Sequence, residues 1–128
     1  MRRMVIGLAA AAVVLVFSAT TFAKVDTIKG QLVDASCYKM DKTNTGDNHK
    51  MPKGPTEGCA TMCAKAGRPL ALLTADGKVV EITGDLAANK NEKLVGHISH
   101  TIEVTGDVST AADGSMKIAG DSLKMISR

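Results

Sequence analysis

Beyond Lys24 the chain is dominated by short stretches in which apolar and polar positions alternate, the signature of half-buried strands. From Asp26 to Asp34, Ile28, Gly30 and Leu32 share one face while Thr27, Lys29 and Gln31 take the other. Gly30, in the middle of that run, predicts a bulge or a sharp coil. Pro69 to Thr74 is an apolar run, Ala75-Asp76-Gly77-Lys78 carries an Asp-Gly turn signal, and Val79 to Thr83 resumes with β-branched residues, so the segment predicts a hairpin. Asp85 to Leu94 has few strand formers and a cap candidate in Asp85, which predicts a short helix or helical turn. Thr101 to Thr105 alternates again, with Ile102 and Val104 facing inward. A turn at Ala112-Asp113-Gly114 then leads to a last strand with Met116, Ile118, Leu123 and Met125, broken near Gly120.

The order is strand, long loop, hairpin, short helix, strand, strand. Five strands with a helix between the third and fourth predict a mainly β fold, a small partly open barrel of the OB type; the alternative is another small antiparallel barrel or sheet. One domain, residues 24–128, accommodates all of it. Residues 37–67 form a loop and helix inserted after the first strand, rich in Lys, Asp, Asn, Gly and Pro. This insertion holds every cysteine, and its second half, Glu57 to Ala66, predicts a helix that stops at Gly67 ahead of Arg68-Pro69.

Residues 1–23 read differently. Arg2 and Arg3 supply a positive start, Val5 to Val16 is almost wholly apolar, and Thr21-Phe22-Ala23 ends on small residues at the positions a signal peptidase reads. The expectation is a signal peptide cleaved after Ala23 and a periplasmic or secreted protein, because the apolar run is shorter than the roughly 20 residues of a membrane span. Phe17 and Phe22 leave with the leader, so Tyr38 becomes the only aromatic residue and the core must be aliphatic. Arg2 and Arg3 leave too, taking 16 basic residues to 14 against 13 acidic ones. A balance so near neutrality, with a single aromatic ring, excludes the basic groove and stacking platforms of single-strand nucleic-acid binding. No membrane association is expected after cleavage.

Three cysteines, Cys37, Cys59 and Cys63, survive processing. An odd count in an oxidising compartment forces a bridge plus a free thiol, a bond to a second molecule, or metal ligation. Cys59 and Cys63 are four apart, so on a helix both point to one face with Cβ atoms roughly 5 to 6 Å apart. With Cys37 folded back over that face three thiolates converge, and His49 can supply a fourth ligand. Cys3His is a closed zinc set, whereas thiolates with a thioether from Met40, Met51 or Met62 suit copper(I). The competing reading is a disulfide from Cys37 to Cys59 or Cys63, closing a loop of roughly 20 to 30 residues and worth about 3 to 4 kcal/mol. Redox activity of a leftover thiol is a third.

Asp34-x-x-Cys37, then Cys59-x-x-x-Cys63-x-Lys65-x-Gly67, then the hairpin from Pro69 to Lys78 resembles a group of small secreted bacterial proteins with an OB-like barrel. The resemblance covers most of the chain after the leader. It implies that fold and an exported location, and no particular activity. In that group a histidine often lies close to the first or second cysteine; here the nearest, His49, is well removed from both.

Other constellations are thinner. His97-Ile98-Ser99-His100 has an H-x-x-H spacing, but strand alternation there would separate the rings, which favours a surface turn. Carboxylates are scattered, and no nucleophile, base and orienting group occur together, so no enzyme activity is expected. Two functions remain: an exported metal-binding module for copper(I) or zinc built on Cys37, Cys59, Cys63 and His49, and a disulfide-stapled barrel that binds a peptide, glycan or partner protein without metal.

Overall fold

The computed structural model describes residues 23–46 and 58–128. The leader expected over residues 1–23 lies, apart from Ala23, outside the described residues, as do His49 and Met51. The first strand begins directly after Ala23. The elements are β1 (Lys24–Asp34), α1 (Ala35–Met40), α2 (Cys59–Lys65), β2 (Leu70–Leu73), β3 (Val79–Thr83), β4 (Thr101–Thr110) and β5 (Met116–Ser127). Short turns fill the stretch between β3 and β4.

The strands close into a barrel in the order β1-β2-β3-β5-β4. All neighbours are antiparallel except β3 and β5, which run parallel from Val80↔Met116 to Thr83↔Ala119. This is the expected OB-like barrel. β1 closes it by serving two partners: its first part pairs with β4 from Lys24↔Val108 to Gln31↔Thr101, and its last part pairs with β2 from Gln31↔Leu73 to Asp34↔Leu70. The changeover falls beside Gly30, where a Cβ would lie 2.7 Å from the Leu73 carbonyl oxygen. Gly30 therefore permits a coil and a close strand approach, with the β4 register running through it unbroken. β5 is likewise continuous, and the irregularity expected near Gly120 is a register shift at the Gly106↔Gly120 pair.

Inside the barrel lie Leu32, Leu70, Leu72, Val80, Ile82, Ile102, Val104 and Ile118, an aliphatic core as the composition requires. Ala60 and Ala64 of α2 join the same cluster, with Leu86, Leu94 and Ile98 from the β3–β4 connection. Two small side chains one helical turn apart let α2 lie close against the barrel.

The short helix or helical turn expected from Asp85 is present as a succession of short helical turns. A 3-10 turn spans Gly84–Ala87, Asn89, Lys90 and Asn91 are all left-handed (φ 52°, 56° and 60°), and a second 3-10 turn spans Val95–His97. The N-cap position of the first turn falls to Thr83, without a side-chain capping bond, and Asp85 lies inside that turn. Asparagine tolerates the left-handed region better than most residues. The compensation is visible at Asn91: its buried amide donates to Ala64 O (3.0 Å) and Arg68 O (2.8 Å), fastening the end of α2 to the barrel.

Candidate metal centre

The site is assembled where β1 ends. Asp34, the last residue of β1, caps α1: its Oδ1 accepts the Cys37 N–H at 2.7 Å. That bond begins α1 two residues before the expected insertion and fixes Cys37 in a buried position on the first turn of a helix the alternation pattern does not announce. The signal was present in the sequence, since an aspartate three residues ahead of Cys37 is a cap arrangement.

α2 supplies the other two thiols. It runs Cys59–Lys65 and ends as expected at Gly67, which takes φ +88°. Arg68 N donates to Cys63 O (3.0 Å) and Gly67 N to Ala64 O (2.9 Å), the paired bonds of a Schellman C-cap. One turn-to-turn row of the helix, Ala60 and Ala64, is buried in the core; the adjoining row, Cys59 and Cys63, is half-buried.

The three sulfurs meet. The Sγ atoms of Cys37, Cys59 and Cys63 all lie within 4.8 Å of one another. All three are free thiols, so the expected disulfide is not formed. A bridge needs S–S near 2.05 Å, whereas three thiolates around one ion at about 2.3 Å stand roughly 3.8 Å apart. The donor set and its spacing fit a thiophilic metal. Of the ligands expected from sequence, the structure brings together Cys37, Cys59 and Cys63; His49, the expected fourth, is outside the described residues. Met62 lines a shallow depression of about 260 Å³ together with Cys59, Cys63, Ala66 and Arg68, so a thioether borders the two α2 thiols. Met40 is instead 79% exposed on α1.

Electrostatics in the metal-free site favour neutral sulfur. Burial, the adjacent Asp34 carboxylate and the neighbouring sulfurs push the Cys37 thiol up to about 12 from 9.0. Cys59 is also raised, by burial first and then by Cys63. Asp34 Oδ2 is buried with no hydrogen-bond partner, which concentrates unneutralised negative charge beside the sulfurs. A cation relieves this arrangement, because it exchanges protons for metal and supplies the missing positive charge.

Sequence reasoning also missed the proximity of the two described histidines. His97 and His100 sit in the expected turn, but their rings approach to 6.0 Å between centroids rather than being separated. A larger depression of about 440 Å³, lined by Lys29, Gly30, Gln31, Leu73, Thr74, Ala75 and Thr101, holds no metal-ligating side chain.

No known protein family, curated protein or solved structure matches the chain.

Proposed function

We propose that this protein is an exported metal-binding module that holds copper(I) or zinc through the thiolates of Cys37, Cys59 and Cys63. The observation that carries the reading is the convergence of the three sulfurs from two helices onto one point, with every thiol free. Separate elements, α1 capped by Asp34 and α2 locked by Asn91 and the Schellman turn, hold those thiols in place before any ion arrives. Such preorganisation is what a binding site requires and what a chance cluster lacks. Half-exposure of Cys59 and Cys63 leaves a route for the ion. The Met62 thioether beside them suits copper(I), and a fourth nitrogen or oxygen donor would suit zinc. Periplasmic or extracellular location belongs to the same proposal, supported by the character of residues 1–23.

Protein purified from the exported fraction with and without reductant decides the matter by metal analysis, thiol titration and mass. The expected result is one equivalent of metal and three thiols that become reactive on chelation. A mass lower by two hydrogens, one reactive thiol and no bound metal would reject the proposal and favour a stapled barrel.

A further inference from the structure

Two histidines stand apart from the thiolate group. His97 ends the Val95–His97 turn and His100 precedes β4; the His100 N–H donates to His97 O at 2.9 Å, and Ser99 between them takes φ +70°. The Gln31 amide donates to Ser99 O and to Thr45 O, each at 3.2 Å, which ties this turn to the segment following α1. The rings stand edge to face, with centroids 6.0 Å apart and planes inclined at 77°. On each ring Nδ1 is buried and has no hydrogen-bond partner.

A ring nitrogen taken out of water with nothing to bind keeps its full desolvation cost. Here the cost is incurred twice within four residues. Buried histidines ordinarily avoid it by pairing with a carbonyl or carboxylate. One cation relieves both rings together, since neutral imidazole is a preferred ligand for zinc, copper(II) and nickel. The spacing allows it: with metal–nitrogen bonds of about 2.0 to 2.1 Å and about 1.1 Å more to each ring centre, two imidazoles on one ion have centroids roughly 5.2 Å apart at a tetrahedral angle and roughly 6.4 Å apart when opposed. The observed 6.0 Å falls between.

We propose that His97 and His100 form a second metal site, for a borderline divalent cation such as zinc or copper(II), with water completing the coordination. The turn that carries His97 packs against α2, so the imidazole site and the thiolate site lie on neighbouring elements. Their chemistries differ, and each stands or falls without the other.

The test uses a Cys37→Ser/Cys59→Ser/Cys63→Ser protein that keeps His49, titrated with zinc chloride while the histidine ring nitrogens are followed by long-range proton–nitrogen NMR. One equivalent is expected to shift the nitrogens of His97 and His100 together to saturation. Adding His97→Gln and His100→Gln should weaken zinc binding by more than the roughly 100-fold that loss of an outer hydrogen-bond partner costs. Copper(II) in the same background should show hyperfine coupling to two nitrogens, lost in the double variant. Unchanged zinc affinity in the double variant, or shifts confined to His49, would overturn the proposal. Should the triple-serine protein fail to fold, the ring nitrogens of reduced wild-type protein are read through two equivalents of zinc, and immobility of His97 and His100 through both is the overturning result.

Discussion

Asp34 does more at the thiolate centre than its place at the end of a strand suggests. One oxygen caps α1 through the Cys37 N–H and the other is buried beside the sulfurs without a partner. The two roles can be separated. Asp34→Asn keeps a good cap and removes the charge, so stability should change by less than about 1 kcal/mol while metal-free Cys37 alkylates faster at pH 9; Asp34→Ala should lose about 1 kcal/mol of cap energy in denaturant titrations. Equal destabilisation by both variants would contradict this division. Cys37 itself sets a pH dependence. Its native thiol titrates near 12 against an ordinary 9.0, so the folded state holds that proton more tightly than the unfolded chain. The stability this contributes is fully present below pH 9 and is lost as pH rises toward 12. Urea midpoints of reduced, metal-free protein should fall over that window, and less steeply in Cys37→Ser.

Among the elements, α2 depends on residues far from it in sequence. Its cysteine row is aimed by the burial of its alanine row and by the two bonds from Asn91 to Ala64 O and Arg68 O. Asn91→Gly retains the left-handed backbone and removes both bonds; Ala64 O keeps the Gly67 N–H, so the expected cost is about 1 to 3 kcal/mol from the Arg68 carbonyl. Zinc or copper(I) affinity should fall in parallel, measured by competition with a chelator; loss of stability without loss of affinity would mean that α2 is aimed by its alanines alone. The β4–β5 pair has a comparable weak point. A Cβ on Gly106 would meet Ala119 O at 2.0 Å and Ala119 C at 2.8 Å, both backbone. Gly106→Ala should therefore cost about 1 to 3 kcal/mol or more by thermal melting, with the metal site intact.

For the molecule as a whole, the core among the described residues is aliphatic, and the three thiols of α1 and α2 meet where a bound metal would staple the two helices together. If metal is that staple, free zinc buffered at about 100 times the dissociation constant of the wild-type thiolate site should add about 2.7 kcal/mol to wild-type stability. The triple-serine protein, melted in the same buffer, should gain less, because the thiolate site is gone and only the imidazole pair is left to bind.

Strand alternation, the Asp76-Gly77 turn and the Gly67 stop after α2 could be read from the chain alone and pointed to an OB-like barrel, because each is a local rule satisfied within a few residues. The sequence also determined that sulfur chemistry gathers in the segment after β1 and that Cys59 and Cys63 share a helix face. Between β3 and β4 local rules found the helical turn but not the left-handed backbone from Asn89 to Asn91, which lets one amide reach across to α2. The turn expected at His97 to His100 is present, but the approach of its two rings depends on backbone angles that spacing does not give. The meeting of Cys37 with the other two sulfurs is a product of the folded chain, because it depends on a closed barrel bringing the end of β1 beside a helix more than twenty residues further along.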